Sequence, residues 1–309
     1  MSALTKVMIS PHIHSGRSTS GIMRDVLIAL LPATVAGVVI FGLRAILPIL
    51  VCVVSCVAFE ALFNIITKKD QTAADLSAAV TGLLLGLNLA VNIPLWQCVV
   101  GSFFAIIIVK CLFGGIGNNL VNPAITARVF MLIAFDAMII SGTPVNVPVD
   151  AVASATPLSA EQMPSLLTLF LGNYGGSIGE TCTLALILGA IYLIARRVIT
   201  WHIPVVFIGT VFVFSLFMEG FDPTAALSLT MAGGVFIGAI FMATDYVTSP
   251  YTSWGKVIFA LGAGLFTCLI RYFGNYPEGA SIAILFMNIL TPYINQWTRH
   301  KVFAAGGKS

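Results

Sequence analysis

Apolar runs long enough to cross a bilayer recur along nearly the whole chain, and nothing else in the sequence constrains the fold as strongly. A membrane-spanning helix needs about 20 largely apolar residues. Ten such runs are expected, at about 25–43, 46–66, 76–92, 95–112, 123–140, 181–195, 202–218, 225–243, 255–273 and 279–297. The connections between them are short and carry Gly, Pro, Asn or charge, as turns do; residues 141–178 form the one long stretch outside the spans. Only 9% of the residues are charged, where a soluble protein carries about 25%. A soluble enzyme, a disordered chain and a fibrous chain are thereby excluded. The first 20 residues are polar and the run from Val26 reads as a span rather than a cleavable signal peptide.

The basic residues fix an orientation. With the N-terminus in the cytoplasm, Lys6, Arg17, Arg24, Lys68, Lys69, Lys110, Arg196, Arg197, Lys256, Arg299, Lys301 and Lys308 fall on one side. The other side receives Arg44 and Arg271, and Arg128 falls inside the fifth span. Twelve against two is the bias expected of a cytoplasmic face, alternating through ten crossings. Both termini are then cytoplasmic. The loop 141–178 is outside; it and the two residues that follow carry Asp150, Glu161 and Glu180 and neither Lys nor Arg.

The chain also resembles itself. Asp70, Thr72, Ala73, Ala74, Gly82 and Gly86 recur as Asp222, Thr224, Ala225, Ala226, Gly234 and Gly238 at an offset of 152. Phe113-Gly114 recurs as Phe273-Gly274 at an offset of 160. Chance likeness between Ala/Gly-rich stretches is the alternative to a true repeat. Five spans per copy is odd, so the copies have inverted topology, an architecture transporters use with a functional site between the halves. The expected fold is an all-α polytopic membrane protein of ten transmembrane helices in two inverted five-helix repeats. It divides into an N-terminal segment (1–24), a first repeat (25–140), an exterior loop (141–178), a second repeat (179–298) and a tail (299–309). Gly82-x-x-x-Gly86 and Gly234-x-x-x-Gly238 read as close helix packing within the fold.

The six cysteines form no C-x-x-C pair, and nearly all lie within or beside apolar runs. Cys52 and Cys56 share a helix face; they read either as a metal or redox pair or, preferably, as small buried hydrophobes. No metal site and no nucleic-acid surface is expected. The most specific signal lies in the exterior loop, Asp150-Ala151-Val152-Ala153-Ser154-Ala155-Thr156-Pro157-Leu158. By composition it is a small-residue turn with a Ser or Asx cap. An Asp, three spacers, then Ser-Ala-Thr resembles the acceptor for covalent FMN in bacterial redox-pump membrane subunits. In that motif the threonine hydroxyl takes the flavin 5′-phosphate as a phosphoester, and a flavin transferase installs it from FAD outside the membrane.

The resemblance extends over residues 9–300. Ser10-Pro11-His12, Ser18-Thr19-Ser20-Gly21-Ile22-Met23-Arg24-Asp25-Val26, Asn118-Asn119-Leu120-Val121-Asn122-Pro123-Ala124 and Ala243-Thr244-Asp245-Tyr246-Val247-Thr248-Ser249-Pro250 are similar to the RnfD family of Rnf electron-transport complexes. The sister family, NqrB of the Na⁺-pumping NADH:quinone oxidoreductase, shares the fold and motif but has a longer N-terminal extension. The resemblance implies a bacterial inner-membrane flavoprotein in a complex that couples ferredoxin:NAD⁺ electron transfer to Na⁺ or H⁺ movement. It implies FMN on Thr156, with Asp150, Ser154 and Ala155 completing the acceptor motif, and a non-covalent riboflavin towards the cytoplasm. Its implied partners are the other Rnf proteins, RnfA, RnfB, RnfC, RnfE and RnfG, with electrons passing to or from a second FMN on RnfG. No G-x-G-x-x-G or P-loop pattern is present, so nicotinamide binding falls to a partner.

Four further residues are candidates for an ion or flavin path. Arg128 and Glu60 lie inside apolar spans, where an ionised group costs at least about 2.5–3.5 kcal/mol. Arg128 reads as a flavin-phosphate or ion-path contact or as a structural tie, with Glu60, Asp136 and a flavin phosphate as the nameable partners. Glu60 reads as an ion-coupling group or a paired, snorkelling one. Asp136 lies at the outer end of span five and can simply reach the interface. Asp245 is either a turn cap or a cofactor or partner contact. Asn122-Pro123 reads as an N-cap followed by a first-turn Pro. No residue is expected to be catalytic by itself. A secondary transporter or channel for a small polar solute, and a cofactor-free scaffold protein, are the competing functions; neither has a use for a flavin acceptor.

Overall fold

A computed structural model of the chain describes residues 18–135, 158, 163–274 and 279–299. Asp136 and the motif residues Asp150, Ser154, Ala155 and Thr156 lie outside the described residues. Among those described, every regular element is helical. The helices are α1 (Thr19–Phe41), α2 (Ile46–Ile66), α3 (Ser77–Leu87), α4 (Leu95–Phe103), α5 (Pro123–Ala134) and α6 (Leu166–Leu171). They continue with α7 (Thr183–Ala195), α8 (His202–Met218), α9 (Pro223–Met231), α10 (Val235–Ile237), α11 (Ser253–Phe273) and α12 (Ala280–Thr298). α4 runs on as a π-helix, Phe104–Cys111, and α10 as a second one, Gly238–Met242. A helical segment stands at each of the ten expected positions.

Local chemistry sets several of these ends. Ser18 accepts from the Gly21 N–H at the start of α1, and Thr252 from the Gly255 N–H at the start of α11. Asn122 accepts from the Ala124 and Ile125 N–H groups with Pro123 in the first turn of α5, as the sequence predicts.

The packing is inverted relative to a soluble protein. Leu31, Val35 and Val39 on α1 and Leu47, Leu50 and Val54 on α2 point outward, whereas Asn88, Ser102, Arg128, Ser177, Thr181 and Asn288 are almost fully buried. An apolar exterior around polar contacts is what hydrocarbon surroundings require. Three segments, Thr19–Phe41, Leu43–Ile66 and Ser253–Phe273, are long and apolar enough to cross a bilayer alone. The pair α9 and α10 with its π-helix qualifies together, bent by 66°. The chain is a multi-pass membrane protein.

Half-length helices are the main departure from uniform spans. α3 has 11 residues, about 16 Å at 1.5 Å per residue, against a core of about 30 Å. Its last carbonyls are not left bare. Ile178 N–H donates to the Leu89 carbonyl and Gly179 N–H to the Leu87 carbonyl. The segment around residues 174–181 thus closes the C-terminal end of α3 from inside the protein. Expected as part of a plain exterior loop, residues 163–180 instead contain α6 and this inserted stretch, and Glu180 is buried rather than an exterior acid. A Gly-rich run lets the chain come this close. A Cβ on Gly179 would lie 2.6 Å from the Leu87 Cβ, and one on Gly37 of α1 would lie 2.5 Å from the Ile178 carbonyl oxygen.

The two halves pack in matching ways. α1 meets α3 as α7 meets α10 and its π-helix; α2 meets α3 and α4 as α8 meets α9 and α11; α4 meets α5 as α11 meets α12. The halves join through α1 against α7 and α5 against α12, and Asp25 on α1 bonds the Tyr192 hydroxyl at 3.1 Å and Arg196 at 3.4 Å. Local structure nonetheless differs where identities recur at an offset of 152. Gly82 and Gly86 lie in α3, against the α2 backbone, with Cβ positions 2.6 Å from Val53 Cα and 2.9 Å from Ile49 Cα. Gly234 lies in the break before α10, and Gly238 opens the second π-helix. Cys52 and Cys56 are buried with reduced thiols, and no metal-binding group of His, Cys, Asp or Glu occurs among the described residues.

Candidate functional site

Three polar features lie between the helices. The first centres on Arg128, in the second turn of α5. Its guanidinium bonds Asn88 Oδ1 at the C-cap of α3, Ser177 Oγ at 3.5 Å and Glu180 Oε2 at 3.4 Å. Glu180 Oε1 accepts in turn from the Ser177 N–H at 3.0 Å. Both charged side chains are nearly inaccessible, 4% and 1% exposed. Gly234 makes room for the pair, since a Cβ there would stand 3.0 Å from Glu180 Oε2 and 3.2 Å from Arg128 Nη1. Glu180 thus pairs with Arg128; of the partners the sequence named, Glu60 pairs with Lys110 instead, and Asp136 lies outside the described residues. A buried guanidinium is tolerated when a carboxylate and further acceptors meet its fork. At the offset of 160 that relates Phe113-Gly114 to Phe273-Gly274, Arg128 corresponds to Asn288 of α12, whose two amide atoms are buried without a hydrogen bond.

The second feature surrounds Glu60 on α2. Its Oε1 accepts from Lys110 Nζ at 2.7 Å and from the Thr72 hydroxyl at 3.1 Å, and Asn64 Nδ2 donates to Thr72 Oγ1 at 3.0 Å. Lys110 Nζ also donates to Ser77 Oγ at 2.5 Å, and the Ser77 hydroxyl donates to Asp75 Oδ1 at 2.5 Å. Lys110 is 2% exposed and lies in the first π-helix, although it counts as a loop charge in the basic-residue tally. Without it the bias is still eleven to two. Glu60, Asn64 and Thr72 line a vestibule of about 410 Å³ with Lys68, Lys69 and Cys111.

The third feature is a largely apolar cavity between the halves, walled by α1, α3, the start of α5, the end of α7 and the segment after the second π-helix. Phe241, Tyr246, Asn119, Asn122, Asp245 and Lys110 contribute to it. Asn119 Oδ1 is buried with no donor against it. Asp245 follows the turn reading: its Oδ1 accepts from the Val247 N–H at 3.2 Å and its Oδ2 from the Thr248 hydroxyl at 3.4 Å. Burial pushes its carboxyl above the ordinary range, partly offset by those two bonds. The structure thus brings Asp245 and Lys110 to one cavity, Glu60 to the adjoining vestibule, and Arg128 to a separate cluster at the far end of α3. Leu158, which follows the Ser-Ala-Thr motif by two residues, joins the apolar group of Leu169, Tyr174, Met231 and Ala232.

Lys110, Glu180, Asn88 and Asn288 were not singled out from the sequence. Lys110 carried a signal, since it falls within the expected span 95–112. Glu180 carried one too, standing one residue before the expected span 181–195.

Comparison with known proteins places these features in context. The model of the NQR2, RnfD, RnfE family matches residues 6–304. The chain is 45% identical over 305 residues to the RnfD-type protein of the Na⁺-translocating ferredoxin:NAD⁺ oxidoreductase complex of Acetobacterium woodii, covering 96% of this chain and 94% of the relative. It is 41% identical to the corresponding protein of the proton-translocating ferredoxin:NAD⁺ oxidoreductase complex of Clostridium ljungdahlii, covering 94% and 93%. With its counterpart in the ion-translocating oxidoreductase complex of Halorhodospira halophila it shares 33% identity, covering 97% and 96%.

Proposed function

The chain belongs to the NQR2, RnfD, RnfE family, and from that membership we propose that it is the flavin-bearing RnfD component of an ion-translocating ferredoxin:NAD⁺ oxidoreductase in a bacterial cytoplasmic membrane. The observation that carries the reading is the likeness to RnfD proteins along nearly the whole chain, joined to the Asp150…Ser154-Ala155-Thr156 motif in the one long loop. On this reading Thr156 Oγ carries the FMN phosphate as an ester, and its neighbours Ser154 and Ala155 leave the hydroxyl open to a flavin transferase. The flavins supply one- and two-electron redox steps when bound. Electrons pass to or from RnfG, and RnfA, RnfB, RnfC and RnfE complete the assembly.

A non-covalent riboflavin is the second flavin of the proposal; the cavity between the halves, about 90 Å³ as it stands, would have to widen to take it. Its walls are mostly apolar, and the unbonded Asn119 Oδ1 is an acceptor for an imide N–H. Glu60, Asp136 and Asp245 are the acids of the proposed ion path, and Arg128 closes the buried C-terminal end of the short helix α3.

Ten crossings in two inverted repeats complete the reading. Matched packing within the halves and eleven-to-two basic residues support it. A cysteine at exposed Ser165 is expected to react with an impermeant maleimide from outside intact cells, and one at exposed Gln71 only after lysis. Cys182 is replaced first, because the other native cysteines are buried and silent. The opposite pattern would overturn the orientation and the site of flavinylation with it.

The flavin assignment is tested on a denaturing gel. The wild-type band should fluoresce under ultraviolet light, Thr156→Ala should be dark, and Thr143→Ala should fluoresce as wild type does. Fluorescence that survives in Thr156→Ala would sink the assignment.

A further inference from the structure

A buried lysine paired with a buried glutamate is costly, and an apolar pair of similar volume is often as stable. Pairing alone therefore gives no account of why Lys110 and Glu60 stand inside the helix bundle. Two further observations point to a site. Glu60 Oε2 is buried and makes no hydrogen bond, so the carboxylate has an acceptor to spare in a place where unbonded acceptors are rare. The Lys110 ammonium also stands at a boundary. Glu60 and Thr72, on one side of it, line the 410 Å³ vestibule; Ser77 and Lys110 itself line the cavity between the halves. The ammonium is held there by oxygens alone, Glu60 Oε1 at 2.7 Å and Ser77 Oγ at 2.5 Å, with the Thr72 hydroxyl on the same carboxylate oxygen. A carboxylate oxygen and a hydroxyl around a single positive charge are hard oxygen ligands of the kind a compact monovalent cation takes, and the Thr72 hydroxyl orients that carboxylate from behind. The π-helix Phe104–Cys111 is the local irregularity that carries Lys110, and such irregularities concentrate at functional sites.

We infer that Lys110 is a gate: its ammonium is a tethered cation filling a seat for a free monovalent cation made by Glu60 and Ser77, with Thr72 holding the Glu60 carboxylate. A free ion passes from the vestibule to the cavity only when the ammonium leaves Glu60. The inference rests on the ion-path role proposed for Glu60 and identifies what occupies that position between ion passages. No bond is made or broken in the exchange; one positive charge replaces another at the same oxygens.

The test is the melting midpoint of the full-length chain in detergent as NaCl replaces choline chloride at constant ionic strength. In Lys110→Gln the seat lacks its tethered charge, so Na⁺ should enter and raise the midpoint by about 2–4 °C or more. Wild type, whose seat is filled, should not shift, and neither should Lys110→Gln/Glu60→Gln, whose carboxylate is gone. An unmoved Lys110→Gln, or equal shifts in all three chains, would overturn the gate.

Should Lys110→Gln fail to fold, Lys110→Arg decides the matter in the assembled complex. Its guanidinium keeps the charge and grips a carboxylate through two parallel N–H groups. Ions moved per electron should then fall at least tenfold while the flavin fluorescence stays. Wild-type ion transport in Lys110→Arg would overturn the gate as well. Neither the melting shift nor the ratio of ions to electrons needs the flavin to be on Thr156, so a dark wild-type band would defeat the proposed function while leaving the gate to be judged on its own.

Discussion

Arg128→Leu is expected to destabilise the protein by about 3–5 kcal/mol, because it leaves Glu180 buried without its cation. Glu180 is 1% exposed in its side chain and is held by the Ser177 N–H as well as by the guanidinium. It cannot turn to water, and no second basic group pairs with it among the described residues. Asn88 loses its donor at the same time, at the point where α3 ends inside the bundle. The companion variant Arg128→Leu/Glu180→Gln keeps an acceptor for Ser177 and removes both charges, and it should recover most of the loss. Accumulation in membranes and the melting midpoint in detergent measure both effects. A single variant as stable as wild type would show that the pair contributes nothing to the fold. In the complex, the double variant should reduce NAD⁺ with ferredoxin about tenfold more slowly, a change of about 1.4 kcal/mol in the limiting step. Undiminished turnover would make the arginine a structural tie only.

Thr156→Ala is expected to abolish ferredoxin-dependent NAD⁺ reduction by the complex, a loss of at least about a hundredfold or 2.7 kcal/mol. Losing the γ-hydroxyl together with the γ-methyl removes the atom that holds the phosphoester at this position and changes no charge. Assembly, followed by co-purification of the other Rnf proteins, should be unaffected. Thr156→Ser retains a hydroxyl and should recover part of both fluorescence and turnover, which a purely conformational role for the threonine would not produce. Turnover in Thr156→Ala equal to wild type would remove the electron-carrying role from this residue.

The helix positions were legible because continuous apolar runs are bounded by Gly, Pro, Asn and charge, and membrane helices tolerate little else. Asn122 with Pro123 and the close approach at Gly82 and Gly86 were legible for the same local reasons. The short span of α3 was not, since an apolar run does not record where its helix stops. Residues 172–178 read as an exterior loop because a Gly-rich polar stretch looks alike whether it faces water or caps a helix end. Ion pairing was the least legible feature. Lys110 and Glu60 are 50 residues apart and Arg128 and Glu180 are 52 apart. Which helices adjoin, and which face each presents, decides such partners, and one-dimensional spacing carries neither. The flavin motif stood out for the opposite reason: its chemistry depends on a few consecutive residues, whatever the surrounding fold.

The central claim, a flavin esterified to this chain, is tested most directly by the intact mass of the purified protein from cells that make the flavin transferase. The account predicts a mass higher than that of the bare chain by one FMN less one water, with the addition localised by fragmentation to Thr156. A protein at the bare-chain mass, isolated from a complex that turns over, would contradict it.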